Sequence, residues 1–280
     1  MTPVRLLTST IASLPRAALA RHGIHLIPFT IQFLDGNYKE SEDLDLAEFY
    51  RRLEQAEAIP TTSPTSTAQW LQIFQQLDGA PALVFHVASQ LSRSYEFAVQ
   101  AAGRLGGEGI VNIDSGSFSL GAGLLVLEAA AALERGESLA ATAALIERLR
   151  PHAFMMFTAP SVRYLRMSGR VGRLPALAAS LIGIQPALAL GPEGIEVAGR
   201  SRSAPAAREL MLEKLAAFAG ARGLRALGVT HTNDPAAAES FAAQVAGRFP
   251  GVPLAVSDAG PILAVHAGPG VLGLAAIREP

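Results

Sequence analysis

Through the first half of the chain, apolar runs of strand length alternate with segments of helical periodicity, and hydroxyl-bearing residues gather where one gives way to the next. Val4–Leu7 runs into Thr8-Ser9-Thr10, and an alanine-rich helix follows to Arg21. Ile24–Phe33 is apolar and β-branched, which predicts a second strand, and Asp35-Gly36-Asn37 turns the chain toward a helix over Leu46–Glu57. Ala82–Val87 predicts a buried strand, and the apolar positions Phe97, Ala98, Ala101, Ala102 and Leu105 predict the helix after it. Gly109–Ile113 is a further strand, ending in Asp114-Ser115-Gly116-Ser117 ahead of a helix over Gly121–Glu134. This alternation predicts a parallel sheet covered by helices, with ligands bound beyond the carboxyl ends of its strands. The hydroxyl-rich turns lie at that end.

The pattern changes near residue 155. Phe154–Thr158 reads as a strand, Ser161–Met167 as a short helix, and Ser168-Gly169-Arg170-Val171-Gly172-Arg173 as a basic glycine loop. Ile184–Leu190 and Ile195–Arg200, joined by Pro192-Glu193-Gly194, form a hairpin pattern foreign to an all-parallel sheet. Helices over Ala206–Ala219 and Pro235–Phe249 and strands over Leu224–Thr230, Leu254–Ser257 and Ile262–Val265 complete the reading. The expected fold is α/β: a parallel, helix-covered domain over residues 1–154, then an α+β domain with a mixed sheet over residues 155–280.

The turn Val87-Ala88-Ser89-Gln90-Leu91-Ser92-Arg93-Ser94-Tyr95 is the strongest candidate site. A strand-to-helix turn offers unpaired N–H groups and the positive end of a helix dipole, and Ser89, Ser92 and Ser94 add neutral donors for an anion. Helix capping is the competing use of the same hydroxyls. In Pro60-Thr61-Thr62-Ser63-Pro64-Thr65-Ser66 the two prolines exclude helix, and Ser66 with Gln69 fits a capping box that starts the helix of Trp70 and Phe74. Thr62 and Ser63 have no capping duty on this stiffened loop and are free to bind a ligand.

Composition narrows the ligand. Half of the residues are apolar, so a large core is available, and 23 basic side chains against 24 acidic ones supply no general field for nucleic acid or an anionic membrane. The absence of cysteine excludes disulfides, thiol catalysis and thiolate metal sites. The first residues lack the apolar core of a signal peptide, and the greasiest stretch, Gly123–Leu133, carries Glu128 and is too short for a bilayer span. A soluble cytoplasmic protein is expected. His22, His25, His86, His152 and His231 show no metal-ligand spacing, so no metal is expected. Gly268-Pro269-Gly270-Val271-Leu272-Gly273 matches a dinucleotide fingerprint, yet only seven residues follow it. Arg170 sits between glycine-rich neighbours, a setting for anion contact, with a plain surface arginine as the alternative. His266 closes an apolar run before a Gly-Pro-Gly turn, where it either reaches a ligand or bonds a carbonyl in the core. Asp114 is either a base or a turn residue.

Taken together these motifs resemble the DegV family, in one order over the whole chain. Thr62-Ser63-Pro64-Thr65-Ser66 is similar to the family's T-S-Q-P-S, and Ser89-Gln90-Leu91-Ser92-Arg93-Ser94-Tyr95 to its S-x-L-S-G-T-Y. Asp114-Ser115, Tyr164-Leu165, Gly169-Arg170-Val171, Gln185-Pro186 and His266-Ala267-Gly268-Pro269-Gly270 match further signposts. Ser9 stands in place of an aspartate, Ser168 in place of a glycine, Arg93 in place of the glycine of S-G-T, and the proline of the first motif is shifted. The resemblance implies a non-catalytic protein that buries one long-chain fatty acid and presents its carboxylate to a separate ATP-dependent fatty-acid kinase, with no other cofactor. It also implies Thr62 or Ser63, Ser92 and Ser94 around the carboxylate, with Arg170 and His266 at the phosphoryl-acceptor end. The alternatives are a stand-alone kinase or hydrolase with Ser92 as nucleophile beside His266 and Asp114, and a lipid-sensing regulator. Arg93 is expected to take an ordinary backbone conformation and to point away from the carboxylate, toward the mouth of the crevice.

Overall fold

The structure, a computed structural model, describes residues 3–40, 42–170 and 184–280. A parallel sheet is built from β1 (Arg5–Ser9), β2 (His25–Ile27), β6 (Ala82–His86) and β7 (Ile110–Asp114), in the order β2-β1-β6-β7. The chain winds outward in opposite directions from β1 and β6. This pair is therefore the switch point, where the following loops diverge and leave a crevice. Helices α1 (Arg16–His22), α2 (Leu46–Gln55), α3 (Thr67–Gln75), α4 (Ser94–Arg104), α5 (Ser119–Glu134) and α6 (Leu139–Leu149) alternate with strands, as the periodicity predicts. Ser66 caps α3 through the full reciprocal box with Gln69.

Two local readings of this half need correction. The run from Ile24 to Phe33 is not one strand: β2 stops before Pro28, and β3 (Thr30–Phe33) belongs to another sheet. Proline has no N–H to donate to a ladder, so the chain changes sheets there. The Thr61–Ser63 loop is a strand, β5, which with β4 (Gly36–Lys39) flanks β3 in a three-stranded antiparallel sheet, order β4-β3-β5.

The third sheet has the order β10-β9-β8-β13-β11-β12 and opens with β8 (Ala153–Thr158). Helix α7 (Arg163–Ser168) follows β8, and β9 (Ala187–Gly191) with β10 (Gly194–Gly199) forms the expected hairpin. Of the basic glycine loop, Val171, Gly172 and Arg173 lie outside the described residues. Then come α8 (Ala204–Ala219), β11 (Leu224–His231), α9 (Pro235–Arg248), β12 (Leu254–Asp258), α10 (Gly260–Ala267) and β13 (Leu272–Arg278). The β11–β12 pair is parallel and the other pairs are antiparallel, so the sheet is mixed.

The predicted strand over Ile262–Val265 is instead the middle of α10, and the run that follows the Gly-Pro-Gly turn and Val271 is the strand β13. A short run buried on every side has no polar face to reveal its period. Pro261 near the helix start and Gly268 after its end fix the helical choice.

Helix α5 joins the parallel and mixed sheets. Leu120, Leu124 and Leu125 pack with Leu6 and Leu83 on one side and Ala275 and Ile277 on the other. Being buried all round, α5 carries no amphipathic stripe. Close approach requires glycine at two points: a Cβ on Gly123 would lie 2.4 Å from the Ala12 carbonyl, and one on Gly228 of β11 would lie 2.9 Å from Leu120.

Candidate functional site

A partly enclosed cavity of about 80 Å³ lies where the switch point of the parallel sheet meets α10 and β8. Its wall is mostly apolar, with Phe29, Phe118, Phe157, Ile195, Ile262 and Val271 prominent, and Thr62, Ser92, Arg170 and His266 share its lining. These four candidates, spread over the sequence, are thus brought to one space.

Each arrives by a definite local route. Ser92 stands in the turn after β6, where the amide of Ser92 donates to the Ala88 carbonyl (3.3 Å) and Ser92 Oγ accepts from the amide of Ser94 (3.2 Å). The backbone bond uses its oxygen and leaves its proton to be offered to a ligand. Thr62 is the middle residue of β5, paired with Ile31, so alternation turns its neighbours Thr61 and Ser63 to the opposite face. Ser63 is not among the lining residues. Helix α10, which carries His266 in its last turn, is held at both ends. At its start Glu40, buried, accepts from the amide of Ile262 (3.1 Å) and from the Thr10 hydroxyl, and burial pushes its carboxyl up to about 7. At its end His266 Nε2 lies 2.8 Å from Thr62 Oγ1.

His266 Nδ1 is buried without a partner. With the proton on Nε2, the ring donates to Thr62, Nδ1 is an unpaired acceptor rather than the costlier unpaired donor, and the Thr62 proton stays free to point into the cavity. Burial first, and then the charge of Arg170, depress the imidazole to about 4, so it is neutral near pH 7. Arg170 follows Gly169, whose φ of 69° ends α7, and its Nη1 donates to the Ser168 carbonyl (2.5 Å). Burial lowers the pKa of its guanidinium, and no carboxylate among the described residues pairs with it. The result is a half-buried cation, two available hydroxyl protons and a neutral imidazole beside an apolar cavity. That arrangement suits a carboxylate with a long hydrocarbon tail.

The remaining candidates serve elsewhere. The Ser94 hydroxyl, fully buried, is 3.2 Å from His86 Nδ1 and is not among the lining residues. The Asp114 carboxylate accepts from the amides of Gly116 (3.0 Å) and Ser89 (3.3 Å), which is the turn role. No Ser92-His266-Asp114 relay is formed, since the His266 nitrogens meet Thr62 or nothing. Arg93 has φ −81° and ψ 8°, an ordinary conformation, and its exposed guanidinium is bidentate to Glu96 (both 2.8 Å). Ser119, Thr230 and Thr232 also line the cavity and escaped the sequence reading, for which only the Thr230-His231-Thr232 run at a strand end gave a sign. Among the described residues no cluster of His, Asp and Glu is arranged to hold a metal, and no helix is long and apolar enough to cross a membrane.

The profile of the DegV family, described as uncharacterised, matches residues 3–279. A DegV domain-containing protein of Deinococcus radiodurans is 29% identical over 278 residues, 97% of each chain. Another, from Listeria innocua, is 26% identical over 275 residues, again 97% of each. Among solved structures, a DegV family protein from Thermus thermophilus described as fatty-acid binding matches with a TM-score of 0.90 at 29% identity, covering 100% of both chains. A protein from Eubacterium ventriosum described as binding stearic acid shares the fold, with a TM-score of 0.90 at 23% identity over 98% of both chains.

Proposed function

The chain belongs to the DegV family, and from that premise we propose that it binds one long-chain fatty acid in the cavity and presents the carboxylate to a separate ATP-dependent fatty-acid kinase. The observation that carries the reading is the meeting of Thr62, Ser92, Arg170 and His266 on one apolar cavity. The fatty-acid binding described for the Thermus thermophilus relative supports it.

The energetics favour a lipid. Burying about 15 methylenes at ~0.8 kcal/mol each offers roughly 12 kcal/mol before the costs of association. An unpaired carboxylate would cost several kcal/mol in such a place, so the head group needs the hydroxyl protons and the guanidinium. In the proposed complex Thr62 and Ser92 donate to the carboxylate, and Arg170 balances its charge. When a kinase delivers a phosphoryl group, Arg170 and His266 stabilise the charge that develops on the acyl phosphate. The tail runs past Phe118, Phe157 and Ile262.

Mass spectrometry of the purified protein, native and then denatured, tests this. About one fatty acid per chain is expected, and acyl phosphate should form from the loaded protein only when a fatty-acid kinase and ATP are added. A lipid-free extract together with no uptake of palmitate or oleate overturns the binding reading. Acyl phosphate formed by the isolated chain with ATP overturns the division of labour.

A further inference from the structure

Deep in the cavity, three hydroxyls form a chain with one open end. Ser119 Oγ lies 3.1 Å from Ser13 Oγ and 3.3 Å from Thr230 Oγ1, and Ser13 Oγ lies 3.1 Å from the Ala259 carbonyl. All three residues are buried, and Ser119 and Thr230 line the cavity. Each hydroxyl has one proton, which fixes the direction of the chain. The Ser13 hydroxyl also lies 3.3 Å from the Ile11 carbonyl; neither carbonyl can donate, so the Ser13 proton goes to one of the two and Ser13 accepts from Ser119. With its proton so used, Ser119 accepts from Thr230. The Thr230 proton is then spent, and its oxygen faces the cavity with acceptor lone pairs only.

Thr232, just past the end of the same strand, provides the contrast. It donates to the Gly268 carbonyl (2.7 Å) and accepts from the amide of Val271 (2.9 Å), so its demand is met inside the protein. The residue across the ladder from Thr230 is Gly273, which has no side chain to cover the open oxygen. Ser13 and Ser119 also hold left-handed backbone angles, φ 52° and 50°, that residues other than glycine seldom adopt. Strain of this sort collects where a ligand is clamped.

Ser13 Oγ lies within bonding reach of the carbonyl just before α10, whereas His266 is in the last turn of that helix. The Ala259 carbonyl is therefore roughly 10 Å along the helix from the imidazole, and the open oxygen, at the far end of the hydroxyl chain that starts there, belongs to the part of the cavity left for the tail when the carboxylate sits at Thr62. Resting on the fatty-acid reading above, we infer that the cavity is built for an acyl chain carrying a mid-chain hydroxyl, whose proton is accepted by Thr230. A mid-chain ketone, which has no proton to give, does not satisfy the open acceptor.

Calorimetric titration with octadecanoic acid, a positional series of its mid-chain monohydroxy derivatives and the matching keto acids tests the inference. In an apolar tunnel every hydroxy isomer should bind more weakly than the parent acid, because its hydroxyl loses water without replacement. Here one isomer should bind at least as tightly as the parent, and its keto counterpart about tenfold more weakly. In Thr230→Val the ratio of hydroxy-acid to parent affinity should fall about tenfold. Ser119→Gly removes the acceptor of the Thr230 proton and relaxes the left-handed backbone, so Thr230 becomes a donor and the keto acid should gain. Uniform weakening of all hydroxy isomers, unaltered by Thr230→Val, overturns the subsite while leaving fatty-acid binding intact. Failure to bind octadecanoic acid at all overturns the fatty-acid reading and this inference with it.

Discussion

His86 and His266 are both pushed down to about 4, in each case by burial before any other cause, yet they sit in regions of opposite character. Around His86 the polar demand is closed. Its Nε2 lies 2.9 Å from Asn112 Oδ1 and its Nδ1 3.2 Å from Ser94 Oγ, with the rings of Trp70 and Tyr95 edge-on at 5.3 and 5.8 Å. With an amide oxygen at one nitrogen and a hydroxyl at the other, the neutral ring donates once and accepts once. At His266 the demand is open: one nitrogen meets Thr62, the other meets nothing, and Arg170, which pairs with no carboxylate among the described residues, shares the cavity. A depressed histidine is thus no mark of function by itself. The mark is the polar capacity that the protein leaves unused beside space for a ligand.

The largest expected effect separates the two regions by stability. His86→Ala strands the half-buried Asn112 and the buried Ser94 and opens a cavity under Trp70, so urea unfolding should show a loss of about 3 kcal/mol. Fatty-acid affinity of the folded protein should be unchanged. His266→Ala should cost only about 1 kcal/mol of stability, because one hydrogen bond is lost and an unpaired nitrogen is removed with it, but should weaken binding. Reversal of these two profiles would break the comparison.

A smaller effect appears in titration. Arg170 helps to hold His266 down, and a bound carboxylate cancels that repulsion, so the His266 pKa should move from about 4 toward its ordinary 6.5 when oleate binds. His86, remote from the ligand, should stay near 4. The complex then holds more protons than the free protein between those limits, and affinity should rise as pH falls through the raised value. In the free protein the sign is opposite with respect to unfolding. The unfolded chain takes up protons at 6.5 that neither native histidine accepts until about 4, so the stability they contribute is present above 6.5 and is lost as pH falls through that window. Imidazole NMR shifts with and without oleate would show either two separate responses or one common response, and the latter would erase the distinction.

Local pattern in the sequence revealed most of the parallel half. The four cavity residues came together through the family motifs, since Ser92 alone stands in a strand-to-helix turn, where the sequence shows a run of hydroxyls, whereas Thr62 is on β5, Arg170 follows α7 and His266 is in α10. What the sequence hid depends on pairing and facing. Ser63 and Ser94 are each close in sequence to a cavity hydroxyl, but the pleat turns one away and His86 occupies the other. Strand β5 reads as a loop because its three residues are hydroxyl-bearing, and its order comes from β3. Helix α10 and strand β13 exchange their expected roles because both are apolar throughout, so tertiary packing rather than period decides between them. Ser119 opens α5 and Thr230 is next to last in β11, so their hydroxyls read as parts of a helix start and a strand end.

The smallest expected effect concerns two arginines, Arg93 and Arg170, and extends the comparison from imidazoles to guanidiniums. Arg93 interrupts the family's S-G-T motif, one residue from Ser92, so position alone makes it a candidate for the carboxylate. Its charge, however, is already used: Nε and Nη2 bond Glu96, and the guanidinium lies 4.7 Å over the ring of Phe97. To reach a ligand it would have to give up both contacts, whereas Arg170 has no carboxylate partner among the described residues to surrender. An exposed pair of this type, screened by solvent, adds little to stability. Arg93→Gly should therefore lower stability by about 0.5–1 kcal/mol, chiefly through the backbone freedom of glycine at the start of α4, and should change fatty-acid affinity by less than about twofold, independent of salt. If affinity instead falls tenfold and the loss is relieved by salt, Arg93 breaks from Glu96 in the complex, and paired charge would no longer separate structural from binding arginines.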